Sequence, residues 1–556
     1  MPDSSNLSKA GLSSANLGKL LIQTAQRFPD EPVLIFPDSN LSYQDLVTRS
    51  YKRALGLKRL GIQAGDHIGL LMPNCPEYIE LLFGIIFLGA CAVPINARNK
   101  ASELGYVIAN ADLKVLITND LASEYVDFAE LLHETYPTLA ASENPAHLSL
   151  PDAPLLRAIV LMGKTASPGM LQGEQLSADD NTASATELSD IESELSTHSS
   201  AAPCIMMYTS GTTAHPKGCP ISHAALVANG RAMNRQRFFM NHKDRFWSPL
   251  PMFHMSSILP LAACLDAGAA LLSMNHFDAG IALDMMEQEQ VSIAFPSFPT
   301  LTNELINHPS FSKRNLTSLK RINNVAPLEL LRTFQSAFPQ AVQTGAYGLT
   351  EACGVISFNH PDEDFETRLS TCGQPFEGIE VKIVDPDTDQ ILPPGERGEM
   401  CISGYSVFSG YYKSPEKNAE ALKDGWLYTG DLCSVDKDNR ISFHGRLKDM
   451  LKVGGENVAA IEIESFLAAH PCVKLAQIIG VPDEHLLEVA AAYIELKPGT
   501  SLSETELITW CKGKIASFKV PRYVRFVTEW PMSSTKVQKF RLIEQFQSAD
   551  NQARSP

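Results

Sequence analysis

The segment Tyr208-Thr209-Ser210-Gly211-Thr212-Thr213-Ala214-His215-Pro216-Lys217-Gly218 crowds hydroxyls, glycines and one lysine into eleven residues, directly after the strand-like apolar run Cys204-Ile205-Met206-Met207-Tyr208. Backbone N–H groups and hydroxyls in such a turn can surround phosphate oxygens, with the lysine as a mobile point charge. It is not a Walker loop, because Pro216 stands where the second glycine of G-x-x-x-x-G-K is needed. Taken alone, it is either a phosphate loop or an ordinary surface loop.

Four further segments carry chemistry of their own. In Leu250-Pro251-Met252-Phe253-His254 the histidine is either a packed side chain or a substrate contact. Ala346-Tyr347-Gly348-Leu349-Thr350-Glu351 reads as a strand end turning through glycine, where an aromatic face could stack on a base and a carboxylate could meet a cation. Trp426-Leu427-Tyr428-Thr429-Gly430-Asp431 sets a carboxylate where it could accept both hydroxyls of a ribose, although a bare T-G-D is also a common loop. Near the end, Pro531-Met532-Ser533-Ser534-Thr535-Lys536-Val537-Gln538-Lys539 carries two lysines in a Lys-Val-Gln-Lys context.

In order and spacing, these segments resemble the motifs of the adenylate-forming superfamily: acyl-CoA synthetases, the adenylation domains of nonribosomal peptide synthetases, and beetle luciferases. The resemblance covers the chain from about Leu41 to Leu542. It implies that Thr209, Ser210, Gly211, Thr212, Thr213 and Lys217 grip the β- and γ-phosphates of ATP. Tyr347 is then an adenine contact, with Gly348 beside it among the ATP-binding residues, Thr350 contacts phosphate, and Glu351 is a Mg²⁺ ligand. Magnesium fits physically, since it neutralises charge between the α-phosphate and the leaving pyrophosphate. Asp431 is implied to bind the ribose diol, Arg446 the ribose and phosphate region, and Lys536 the adenylating position. Asp449 matches the hinge about which such enzymes turn their C-terminal domain between half-reactions. Lys452, Gly454 and Gly455 form the strand expected along coenzyme A, where a missing side chain lets backbone approach a pantetheine arm. His254 is implied to lie between acyl pocket and thiol tunnel. Two departures are visible: Ala214 replaces a usual glycine, and the loop before Lys536 lacks a glycine and is one residue shorter.

By position, the acyl pocket involves His254, Phe298, Asn324, Val325, Ala326, Gly345 and Ala346. Asn324 and Val325 stand where many relatives carry small residues, so the expectation is a narrowed or reshaped tunnel. The implied activity is a two-step acid–thiol ligase: carboxylate attacks the α-phosphorus of MgATP, then a thiolate takes the acyl group from acyl-AMP. Lys217, Arg446 and Lys536 serve the first step and His254 the second, by preorganised charge rather than a protein nucleophile. Rivals are a stand-alone adenylation enzyme loading a carrier protein, a luciferase-like oxygenase, and a catalytically dead ATP-binding module. The chain ends at Pro556, twenty residues after Lys536 and without a Ser-Lys-Leu terminus, so free coenzyme A is the expected acceptor.

These residues must be positioned by a large scaffold. At 556 residues the chain exceeds what one hydrophobic core supports. Alternation of helical patterns with β-branched runs such as Val115-Leu116-Ile117 predicts α/β architecture. The expectation is a large N-terminal domain of α/β subdomains, residues 1–448, and a small mobile α+β C-terminal domain, residues 449–556. The net charge of −17 opposes nucleic acid and anionic membranes; the partners that the resemblance implies are a small carboxylic acid, ATP and coenzyme A, with a homodimer open. The eleven cysteines contain no CxxC pair and read as reduced thiols. No secretory signal is evident, and the apolar stretch Leu81 to Ile95, at 15 residues, is short of the ~20 that span a bilayer, so a buried helix and a cytoplasmic address are expected. The Ser-, Asp- and Glu-rich stretch from Gly163 to Ser200 reads as a long surface loop.

Overall fold

The structure, a computed structural model, describes residues 16–176, 185–209, 216–326, 328–453, 456–483, 486–532 and 537–554. Packing divides the chain into two units: Met1–Glu380 with Ile402–Leu427, and Val381–Cys401 with Tyr428–Pro556. Residue 449, the expected start of the C-terminal domain, lies within the second unit, which also takes in residues 381–401 and 428–448.

The first unit holds two seven-stranded sheets and a small antiparallel one. One large sheet runs in the order Val342–Thr344, Arg321–Asn324, Ile293–Ser297, Arg245–Trp247, Ala270–Leu272, Pro32–Phe36, Ser39–Ser42. All its neighbours are parallel except the last pair. The other large sheet is likewise parallel until its final pair, the hairpin of Pro203–Thr209 and Lys217–Ser222. Such strands are buried on both faces by crossover helices, and Ile68, Leu70, Leu116 and Ile117 are accordingly inaccessible. The small sheet pairs Ala346–Leu349 with Gly354–Phe358 and that with Gln374–Pro375.

In the second unit the long antiparallel pair Val473–Asp483 and Leu487–Leu496 is flanked by Met450–Val453, Glu456–Ala459 and Tyr523–Phe526. Helices Ala460–Ala468 and Glu504–Cys511 contribute Ile463, Leu467 and Leu507 to its core. The α/β plan with a smaller α+β unit is therefore the architecture observed.

Two local expectations are corrected. The apolar stretch from Leu81 is not one helix: helix Pro76–Phe87 ends, the chain turns, and Cys91–Pro94 is a parallel strand. A run apolar on every side has no period to separate helix from strand. The stretch from Gly163 to Ser200 contains the short strand Leu171–Gln172 and helix Ala185–Thr197. Ile191 and Leu195, one turn apart, are fully buried and anchor that otherwise polar helix. All eleven cysteines are reduced thiols, nine of them buried. Among the described residues no helix is long and apolar enough to cross a membrane.

Candidate active site

In the first unit, the hairpin of Pro203–Thr209 and Lys217–Ser222 pairs Thr209 with Lys217 and Tyr208 with Gly218, so the loop leaves and returns at one strand end. Ser210, Gly211, Thr212 and Thr213 lie outside the described residues, as do Gly454, Gly455 and Lys536. Thr209 Oγ1 is buried at the mouth of this loop with no hydrogen-bond partner among the described residues. Lys217 is half-buried, and the loss of water lowers the pKa of its ammonium while the charge of Glu351 opposes the shift.

Glu351 reaches the same place from another direction. Strand Ala346–Leu349 hands over to a short 3₁₀ turn, Thr350–Ala352, which presents Thr350 and Glu351 half-buried. Gly348 sits where that strand crosses its partner closely: a Cβ there would lie 2.2 Å from the Gly354 carbonyl oxygen. Tyr347 is nearly inaccessible beside it. Lys217 and Glu351 meet across one side chain that sequence reasoning missed. Tyr411 donates its hydroxyl to Glu351 Oε1 at 2.8 Å, and Lys217 Nζ stands 3.9 Å from the centre of its ring. The only signal was the aromatic pair in Gly410-Tyr411-Tyr412-Lys413, which a composition-based reading assigns to packing.

The residues expected around the acyl group follow the carboxyl ends of parallel strands, the edge where open α/β sheets bind ligands. Phe298 caps helix Pro299–Asn307 after strand Ile293–Ser297, Val325 and Ala326 follow Arg321–Asn324, and Gly345 and Ala346 follow Val342–Thr344. His254 is half-buried at the start of helix Met255–Ala267, and its carbonyl accepts the Ser257 N–H at 3.1 Å. Asn74 fixes the preceding loop, donating to the Leu250 carbonyl and accepting the Met252 N–H. Asn324 departs from the expected lining role. Its side chain is fully buried and turned inward, accepting from Thr302 at 2.5 Å and donating to Gln343 at 3.2 Å. Val325, 55% exposed, is the member of that pair with surface to offer.

In the second unit, Asp431 and Arg446 are directly opposite in the hairpin of Trp426–Val435 and Ile441–Arg446. Arg446 Nε lies 3.3 Å from Asp431 Oδ1, with Asp431 4% exposed. Thr429 locks the turn: its hydroxyl donates to the Met400 carbonyl and accepts the Asp431 N–H. A fixed carboxylate beside a guanidinium suits a diol, whose hydroxyls donate to the one and accept from the other. Asp449 ends a 3₁₀ turn, 3.9 Å from Lys539 Nζ, which also pairs with Glu464 at 2.6 Å. Lys452 is exposed, with its backbone N–H on Glu488. An antiparallel bridge joins Met532 to Val537, the described residues on either side of the segment that includes Lys536.

The family model for the AMP-binding enzyme matches residues 21–412, and that for the AMP-binding enzyme C-terminal domain matches residues 462–536. The chain belongs to the AMP-binding enzyme family. Within it, YngI of Bacillus subtilis (strain 168), which carries the name acyl-CoA synthetase, is 35% identical over 96% of this chain and 98% of its own length. The mitochondrial medium-chain acyl-CoA ligase ACSF2 of Rattus norvegicus is 30% identical over 96% of this chain and 88% of its own. Among solved structures, the anthranilate CoA ligase AuaEII in complex with anthranoyl-AMP superposes with a TM-score of 0.83 at 26% identity, covering 98% of this chain and all of that one. Asp449 falls in the interval between the two segments that the family models match.

Proposed function

We propose that this chain is an AMP-forming acid–CoA ligase acting on an aliphatic acid of medium length. The observation that carries the reading is the convergence of Lys217 and Glu351 on Tyr411. It gathers a cation and a carboxylate where a magnesium triphosphate needs both, in a chain whose full-length relatives are named acyl-CoA synthetases. Glu351 suits magnesium, which keeps most of its waters and takes one or two carboxylates along with substrate phosphates. A medium-length acid is supported by the name of the ACSF2 relatives.

In the first half-reaction a carboxylate oxygen attacks the α-phosphorus, a new P–O bond forms, and the bond to the β-phosphate oxygen breaks with release of pyrophosphate. Lys217 and the loop from Thr209 to Thr213 hold the departing phosphates, Asp431 and Arg446 the ribose, and Lys536 the α-phosphate. In the second, the thiolate of coenzyme A attacks the acyl carbon, and the bond to the AMP oxygen breaks. His254 and the strand Lys452 to Gly455 serve that step, after a turn of the C-terminal domain about Asp449.

The test is to supply MgATP with acetate, medium-chain, long-chain and aryl acids, with and without coenzyme A. AMP and pyrophosphate should appear in equal amounts only with acid, hydroxylamine should trap the acyl group when coenzyme A is omitted, and the medium-chain acids should turn over best. Release of ADP, or of AMP without acid, would sink the ligase assignment; a preference for long straight or aryl acids would overturn the acid class alone.

A further inference from the structure

Lys217 and Glu351 carry opposite charge and act on one another through space, yet among the described residues no ion pair closes between them. Tyr411 stands in the way. Its ring seats the ammonium at 3.9 Å, and its hydroxyl, at 2.8 Å, occupies one oxygen of the carboxylate. The phenol is 8% exposed and is held from both sides of its own backbone. The Asn418 side-chain carbonyl accepts the Tyr411 N–H at 2.6 Å, while its amide donates to the Tyr411 carbonyl at 3.0 Å. The next residue ties this segment to the phosphate hairpin, since the Tyr412 N–H donates to the Gly218 carbonyl at 2.8 Å. Its hydroxyl and the Lys413 ammonium both end on Asp112. A side chain so fixed is preorganised rather than incidental.

We infer that Tyr411 is a positioning residue for nucleotide binding, a spacer that keeps Lys217 and Glu351 from neutralising one another and aims each at its part of the magnesium triphosphate. The inference rests on the reading of Lys217 and Glu351 given above. The ring does one task and the hydroxyl another. Stacking against a π face holds an ammonium in place without removing its charge, leaving it available to phosphate. Occupying one carboxylate oxygen fixes the orientation of Glu351 and leaves the second oxygen for a metal ion that would bind there, as hydrogen-bonded partners of metal ligands commonly do.

The two tasks separate by substitution. Calorimetric binding of ATP to the full chain, without acid so that no turnover occurs, is measured in EDTA and again across a magnesium titration. Tyr411→Leu removes ring and hydroxyl and should weaken magnesium-free ATP binding roughly 3–30-fold, the range of a partly desolvated cation–π contact. In a Lys217→Met background the same change should cost less than about twofold, because the group it serves is gone. Tyr411→Phe keeps the ring, so magnesium-free binding should stay within about twofold of wild type while the magnesium needed for half-saturation rises roughly 10-fold. An equal loss from Tyr411→Leu in both backgrounds would make Tyr411 merely structural and overturn the inference, as would a Tyr411→Phe variant with unaltered magnesium dependence. Should Tyr411→Leu not fold, Tyr411→Phe still decides. If Lys217→Met and Glu351→Gln themselves bind ATP and MgATP as wild type does, the failure lies in the underlying reading of the site.

Discussion

Replacing Gly348 by alanine sets two effects of opposite sign against each other. The backbone of Gly348 is not left-handed, so an alanine there is conformationally allowed and would, through strand entropy alone, stabilise by about 0.5–1 kcal/mol. Its Cβ, however, would lie 2.2 Å from the Gly354 carbonyl oxygen and 2.5 Å from Val355 Cα. Ordinary contact begins at 3.4 Å, so the hairpin must open by 3.4 minus 2.2, or 1.2 Å, against backbone that has no flexible end to yield. Overpacking of this kind costs about 1–3 kcal/mol, which outweighs the entropic gain over most of that range and leaves a net loss of roughly 0–2.5 kcal/mol. Thr350 and Glu351 follow at once and move with the strand, and a displacement of ~1 Å at a charged group can cost ~10²-fold in rate. Gly348→Ala should therefore lower the thermal midpoint and slow acid-dependent exchange of pyrophosphate into ATP far more than the stability loss accounts for. Gly499→Ala is the control: its φ of 76° strains any side chain, yet nothing lies within 4 Å. It should cost stability of similar size, about 1–2 kcal/mol, and leave exchange untouched. A Gly348→Ala enzyme with a raised midpoint or a wild-type exchange rate would refute the close-crossing argument.

Three further outcomes are expected. Burial, aided by the neighbouring His198 and Lys19, lowers the pKa of His223 to about 4, and its Nδ1 accepts the Leu17 N–H. The unfolded chain takes up this proton near 6.5, so the stabilisation is complete above that pH and is lost as pH falls to about 4, by about 3 kcal/mol; His223→Phe should flatten the fall in thermal midpoint between about pH 7 and 5. Asp431→Asn keeps the shape but halves the ion pair with Arg446, and the KM for ATP should rise roughly 10–100-fold with the KM for coenzyme A unchanged, the scale for losing hydrogen bonds to a charged group. Lys536→Ala should slow adenylation roughly 10²–10³-fold while sparing thioester formation from supplied acyl adenylate, whereas Asp449→Pro should spare pyrophosphate exchange and lose the thioester; the reverse pattern would dismantle the division of labour between the half-reactions.

Much of the scaffold was legible because period and composition carry it. The strand at Val115 follows from a β-branched run set between helical patterns, and the strand at Cys204 from a short apolar run that breaks into small polar residues. Legibility failed where the period vanished or the apolar count fell. The stretch after Leu81 is apolar on all sides, so nothing in it marks where helix gives way to Cys91–Pro94. Among its described side chains, helix Ala185–Thr197 buries two large residues in a polar background, too few to stand out from a linker.

The site divides along a different line. The residues proposed to touch the nucleotide sit in short runs whose order and spacing carry the family resemblance, which is why Lys217, Glu351, Asp431 and Arg446 could be put forward from the chain alone. Residues that hold those groups in place are ordinary in type and distant in sequence. Asn324 belongs among them: a polar residue at a strand end invites a ligand-facing role, but its amide is satisfied by Thr302 and Gln343, and satisfied buried amides specify strand position rather than bind. The segment around Tyr411 makes the same point from the other side. Its phenol would pass for core packing, yet the contacts of Asn418, Gly218 and Asp112 with this segment leave that ring one place to stand, between the two charges that the nucleotide must find apart.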